Sequence, residues 1–177
     1  MVNGEPFDIY ISEERIRTRV AEMGAVLNAE YEGKAPVFVG VLNGSFIFFA
    51  DLIRHITIDC EVDFIKLSSY GAEKISSGKV SILKDLNAEV KGRHIVVVED
   101  IVDSGLSIDF LRNLILRENP ASLSFVTLLM KPAMAKIDFS VDHVGFEIPP
   151  EFVIGYGLDY AQKLRNLRAV YRQRPGS

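Results

Sequence analysis

Between Glu99 and Ser107 the chain gathers Glu99, Asp100, Asp103, Ser104, Gly105 and Ser107, which is three carboxylates, two hydroxyls and a glycine in nine residues. Adjacent acids such as Glu99 and Asp100 repel each other at neutral pH. A divalent cation or a set of sugar hydroxyls would relieve that repulsion. Ser104-Gly105-Leu106-Ser107 leads into a stretch with helical periodicity. A helix N-terminus offers free backbone N–H groups to an anion such as phosphate. Asp103 has two readings on these grounds. It is a chemical group facing a ligand, or it is the N-cap of the helix that follows. Glu99 and Asp100 also have a plainer reading, as a solvated strand end.

Three smaller polar clusters accompany this one: Asn43-Gly44-Ser45, Ser68-Ser69-Tyr70, and Lys131 followed by Pro132. Each alone reads as an ordinary turn, and Lys131 as a side chain snorkelling to water. His55, His94 and His143 share no metal-ligand spacing, which excludes a zinc site of the usual kind. No Gly-x-Gly-x-x-Gly follows a strand and no Gly-Lys-Ser/Thr occurs, so dinucleotide and Walker-type readings lack their signature.

These clusters need elements to position them. Ile95 to Val98 is a β-branched run suited to a strand buried on both faces. Similar buried strands are expected at 37–42 and 123–130, and a half-exposed one at 61–67. Ser12 reads as an N-cap for a helix carrying Ile16, Val20, Met23 and Leu27. Further helices are expected at 46–56 and 107–118. Ser68 to Lys79 is a long polar loop. Residues 80–86, 141–148, 152–156 and 169–171 are short strand candidates. Alternating strands and helices predict an α/β fold with a central, mostly parallel sheet flanked by helices on both faces. All four polar clusters then fall at strand C-termini, along the edge where such sheets bind ligands.

At 177 residues a single domain is the default reading, and the chain can bury a substantial core. We expect a core over about 34–140 and a small hood from about 141–177 plus the N-terminal segment. The net charge of −4 gives no electrostatic case for nucleic acid or an anionic membrane. One cysteine, Cys60, no long apolar run and no signal-peptide pattern near Met1 suggest a cytoplasmic protein.

The stretch from Val96 to Ser107 (VVVEDIVDSGLS) resembles the phosphoribosyl-pyrophosphate (PRPP) motif of type I phosphoribosyltransferases. The hypoxanthine-guanine group of that family is the nearest likeness. Val41-Leu42-Asn43-Gly44-Ser45-Phe46 is similar to its pyrophosphate loop, and Leu67-Ser68-Ser69-Tyr70 to the start of its mobile loop. Leu128 to Lys131 and Val144 to Pro149 are similar to its purine pocket, and Gly155 to Tyr160 with Arg165 continue the match. The likeness runs from about Val37 to Tyr171.

This resemblance implies the type I phosphoribosyltransferase fold and a purine-salvage enzyme. It would join hypoxanthine, and guanine as well, to PRPP with release of pyrophosphate, using Mg²⁺. Glu99 and Asp100 would hold the ribose hydroxyls and stand near the metal. Asp103, Ser104, Gly105, Leu106 and Ser107 would bind the 5′-phosphate, and Asp103 would be the general acid or base at the purine N7. Leu42, Asn43, Gly44 and Arg165 would meet pyrophosphate, with a cis Leu42–Asn43 peptide. Lys131, His143 and Val144 would hold the purine: Lys131 at the 6-oxo group, His143 stacked on the ring, Val144 through its backbone. Ser69 and Tyr70 would begin a loop that closes over the site. A homodimer or homotetramer is implied.

Three departures from the pattern stand out. Asn43 occupies a position where Lys is common, His143 one where Phe or Tyr is usual, and Pro150 one where an Asp often helps hold a second Mg²⁺, with Glu151 beside it. Two alternatives remain at this level: a PRPP-binding transcriptional regulator on the same fold, and a xanthine-preferring phosphoribosyltransferase.

Overall fold

The computed structural model describes residues 7–68 and 80–174. The expected mobile-loop residues Ser69 and Tyr70 lie outside this range. Strand β1 (Phe7–Ile11) leads into α1 (Glu13–Glu30), β2 (Val37–Leu42), α2 (Phe46–Ile53) and β3 (Glu61–Ser68). There follow β4 (Ser81–Lys84), β5 (His94–Val102), α3 (Leu106–Leu116), β6 (Ser122–Met130), β7 (His143–Glu147), β8 (Val153–Ile154) and β9 (Val170–Gln173).

Six strands form one sheet in the order β4-β3-β2-β5-β6-β7. β2, β3, β5, β6 and β7 run parallel, and β4 is antiparallel at one edge. Successive side chains on a strand point to opposite faces, so each central strand feeds two cores. Phe38, Val96, Val98, Val126 and Leu128 pack under α1 and α2 with Ile16, Val20, Leu27, Phe48 and Leu52. Val37, Val39, Ile95, Val97 and Phe125 pack under α3 with Ile108, Leu111 and Ile115. Both faces of β5 are therefore covered, which is why its sequence lacks a polar alternation. The N-cap expected at Ser12 forms: its hydroxyl accepts from the Arg15 amide at 3.3 Å.

A smaller antiparallel sheet, in the order β1-β9-β8, makes the hood. Two features differ from the sequence reading. β1 was not foreseen, because five residues of FDIYI carry too little pattern, and their partner β9 lies at the other end of the chain. The hood also starts later than residue 141: β7 pairs with β6 from Val126↔His143 to Met130↔Glu147 and is the sixth strand of the large sheet.

At the N-terminal ends of the central strands the buried polar groups pair with one another. The Tyr31 hydroxyl meets Ser124 Oγ at 2.6 Å, His94 Nδ1 meets Ser122 Oγ at 2.7 Å, and Asp142 accepts the Phe125 amide at 2.7 Å.

Candidate active site

At the opposite, C-terminal edge the polar groups face a cleft. β5 continues through the acid pair to Val102, so Glu99 and Asp100 lie inside the strand, and both line the cleft. They are only 7% and 9% exposed. Burial pushes the Glu99 carboxyl well above its ordinary range, and the Asp100 charge adds to the shift. Burial also raises Asp100, although the positive charge of Arg165 acts the other way. No Lys or Arg within ion-pair distance neutralises either acid among the described residues.

A cleft of about 510 Å³ opens above them, lined by Leu42, Asn43, Gly44, Glu99, Asp100, Ser107 and Arg165, with Lys66, Asp159 and Gln162 completing the wall. Four separate stretches of chain meet here. The Leu42–Asn43 peptide is cis, as the resemblance implied. Among the described residues no acceptor takes the amides of Asn43 and Gly44. Gly44 is required by contact: a Cβ there would overlap the Asp100 carboxylate, and a Cβ on Gly157 would overlap the Gly44 carbonyl. The hood, the loop after β2 and the acid strand thus touch through two glycines. Arg165 is held rigidly, donating to Gly157 O at 2.8 Å and Gln162 Oε1 at 3.0 Å and pairing with Asp159 at 2.9 Å.

The start of α3 adjoins the cleft. Its N-cap is Gly105 at φ +85°, a conformation that suits glycine. Asp103 is therefore not the cap, and that alternative is removed. The first amide to find a helical acceptor is that of Asp109, to Gly105 O at 3.0 Å. Ahead of it, among the described residues, only Leu106 is served, by Ser104 Oγ at 3.4 Å. The remaining amides of Ser107 and Ile108 are left for an anion.

Asp103, about half exposed, meets the Lys131 ammonium at 2.8 Å. Lys131 itself is 8% exposed, and its amide bonds Val102 O at 2.9 Å, which ties the end of β6 to the end of β5. A donor and a carboxylate so close together can address two neighbouring polar atoms on the edge of one flat ligand.

The structure does not bring His143 and Val144 to this site. His143 begins β7 opposite Val126, four residues before the Met130 end of β6, and its Nε2 meets Glu30 of α1 at 2.8 Å. The Val144 carbonyl is taken by Arg19 at 2.9 Å, and the Gly145 carbonyl by the same guanidinium at 3.0 Å. The expected departures at His143 and Pro150 therefore concern the wrong segment. Asp159, nine residues beyond Pro150, is the hood carboxylate that lines the cleft; it falls in the Gly155-to-Tyr160 match, which assigned it no role. Its signal was the Arg six residues later: Asp159 and Arg165 leave and rejoin one wall. Glu151 is engaged instead with Arg172 at 3.3 Å.

The donor set fits a divalent cation shared with a substrate. Glu99 and Asp100 are buried with no cationic side chain paired to them among the described residues, and Asp159 lines the same cleft. Among the described residues no three ligating side chains converge, so substrate oxygens and water would complete the coordination. No helix is long and apolar enough to cross a membrane among those residues.

Residues 9–161 match the phosphoribosyl transferase domain family. The chain is 50% identical over 159 residues to the hypoxanthine-guanine phosphoribosyltransferase of Bacillus subtilis (strain 168), covering 90% of this chain and 88% of that one. It is 45% identical to the hypoxanthine phosphoribosyltransferase of Haemophilus influenzae, covering 90% and 91%. The crystal structure of a hypoxanthine-guanine phosphoribosyltransferase from Bacillus anthracis, with a HEPES molecule in its active site, superposes with a TM-score of 0.88. It shares 45% identity and covers 94% of this chain and 98% of that one. With the strand-end acids, the cis loop and the Asp103–Lys131 pair set in a sheet of this topology, the chain belongs to the hypoxanthine and hypoxanthine-guanine phosphoribosyltransferases.

Proposed function

We propose that this protein is a purine-salvage enzyme that transfers the phosphoribosyl group of PRPP to hypoxanthine and to guanine. The observation that carries the substrate class is the 2.8 Å pair of Asp103 and Lys131 at the ends of β5 and β6. A 6-oxopurine presents its 6-oxo oxygen and N7 side by side. The Lys131 ammonium donates to the oxygen, and Asp103 faces N7. Adenine would offer an amino donor to an ammonium donor, which disfavours it. Stacking on the ring passes from His143 to the hood. Ile148 donates to Met130 O at 2.8 Å, so the chain leaves β7 beside Lys131, and Phe152 follows with 47% of its surface exposed.

Asp103 takes the N7 proton as the N9 lone pair forms the bond to the ribose C1. The C1–oxygen bond breaks, and its electron pair leaves with pyrophosphate. The Asn43 and Gly44 amides and Arg165 hold the leaving group, while Glu99 and Asp100 orient the ribose hydroxyls. The amides at Ser104–Ser107 with the Ser107 hydroxyl anchor the 5′-phosphate. Fixed dipoles and charges placed where charge develops are the largest catalytic contribution expected in such a site. When bound, Mg²⁺ held near Glu99, Asp100 and Asp159 supplies positive charge to the pyrophosphate and hydroxyl oxygens. We place the enzyme in the cytoplasm, and its assembly as a homodimer or homotetramer is read by light scattering.

The test is a PRPP- and Mg²⁺-dependent assay with hypoxanthine, guanine, xanthine and adenine. Turnover of hypoxanthine or guanine, with adenine inert, is expected. Turnover of adenine, or of none of the four, overturns the reading.

A further inference from the structure

We infer that Lys66 is a pyrophosphate-binding residue that supplies, from β3, the positive charge that Asn43 does not carry. The inference rests on the phosphoribosyltransferase reading above. β3 runs beside β2 with Lys66 in register with Leu42, so Lys66 emerges next to the Asn43-Gly44 turn. It is half-buried and lines the same cleft as that turn. Its neighbour Ile65 is fully buried on the α3 face, so Lys66 points to the other side, where the hood stands.

The charges in this cleft make the case. Three carboxylates line it, Glu99, Asp100 and Asp159, against two cations, Lys66 and Arg165. Arg165 is already engaged by Asp159, Gly157 O and Gln162. Lys66 has no hydrogen bond or ion pair among the described residues, although acids line the same wall. The contrast with Lys84, its register partner on β4, is direct. The Lys84 ammonium donates to Phe64 O at 2.6 Å and pairs with Asp63 at 3.4 Å, so it is consumed by the fold. An ammonium left free beside a turn whose amides are also free is suited to a polyanion arriving there. Pyrophosphate carries more charge than two amides and one engaged guanidinium can offset, and Lys66 makes up part of the difference.

The experiment is steady-state kinetics on Lys66→Met, Lys66→Arg and Asn43→Lys/Lys66→Met, with Lys91→Met as an exposed charge control. Lys66→Met is expected to raise the KM for PRPP at least ten-fold and to weaken product inhibition by inorganic pyrophosphate in parallel. The KM for hypoxanthine and kcat should stay within about two-fold. Lys66→Arg and Lys91→Met should stay near the parent, and Asn43→Lys should recover part of the loss. An unchanged KM for PRPP, or equal rises for PRPP and base, overturns the assignment. If Lys66→Met folds poorly, Lys66→Gln takes its place, and an Asn43→Lys/Lys66→Gln enzyme that folds but binds PRPP no more tightly than Lys66→Gln also overturns it. An inactive parent enzyme would instead sink the phosphoribosyltransferase reading itself, so the two failures are distinguishable.

Discussion

The two ends of the central sheet use polar residues for opposite purposes. At the N-terminal end Tyr31 meets Ser124, His94 meets Ser122, and Asp142 caps the Phe125 amide, so every polar group named there is satisfied by a neighbour. At the C-terminal end Glu99 and Asp100 are buried side by side with raised affinities for protons, and the free amides of Asn43 and Gly44 face the same space. Buried polar groups ordinarily find partners within the fold. Here, among the described residues, Glu99 and Asp100 accept only main-chain amides, that of Asp100 at 3.3 Å and that of Ile101 at 2.8 Å, and no cation balances them. The end whose charges are left unbalanced is the end that awaits a ligand, and that imbalance is a cost to stability that substrate binding relieves.

The comparison is sharpest where chemistry is directly at stake. Asp103→Asn is expected to lower kcat by about 10²-fold or more while leaving the Kd for PRPP near its parent value, because only proton transfer is lost. Equal losses in both would remove the acid–base role. Lys131→Ala should narrow the preference for guanine over adenine by about ten-fold or more, measured as a ratio of kcat/KM values, because the discriminating donor is gone.

Effects on stability should then differ in sign between the ends. Glu99→Gln removes a buried carboxyl whose ionised form is opposed by burial and by Asp100, so the ligand-free protein should gain about 1–2 kcal/mol in denaturant unfolding while PRPP binding weakens. Tyr31→Phe breaks the 2.6 Å contact with Ser124 and should cost about 1 kcal/mol with unchanged kinetics. If both variants were destabilised alike, the two ends would not be distinct. The smallest effect is expected for His143→Ala. Its pair with Glu30 is partly exposed, so about 0.5 kcal/mol at most is lost, and the KM for the base should not move. A ten-fold rise in that KM would return His143 to the purine site.

Contiguity decided what was legible in the sequence. Glu99 to Ser107 carries strand, acids, turn and helix start in one run, so both its structure and its placement followed from local rules. The sheet-edge rule then located Asn43-Gly44 and Lys131 correctly on the same rim, because each ends a strand of recognisable apolar pattern. Legibility failed where placement depends on pairing. Nothing in Val141 to Ile148 says that β7 joins β6 from Val126 onward, and that register alone sends His143 to α1. Asp159 sits in a segment of bridges and left-handed residues, with Tyr156, Ala161, Gln162 and Leu164 at positive φ, where neither helical nor strand periodicity applies. Its role is set by the Arg165 pair and the hood contact, both tertiary. The same holds for β1, whose partner is β9. Lys66 is a milder case: its strand was anticipated, but its freedom emerges only when Lys84 is seen to be occupied.

The meeting of Gly44 with Asp100 and of Gly157 with the Gly44 carbonyl has a consequence for how this molecule can change over generations. The phosphate side of the cleft is a stack of three segments with no spare room, so even an added methyl must displace a carboxylate or a main chain. Variants there would be lost whatever base they favoured. Innovation in the choice of base is therefore channelled to the other rim, around Lys131 and the start of the hood, where side chains can be exchanged without moving the stack. A library seeking a new nucleobase should draw its diversity from that rim and leave both glycines fixed.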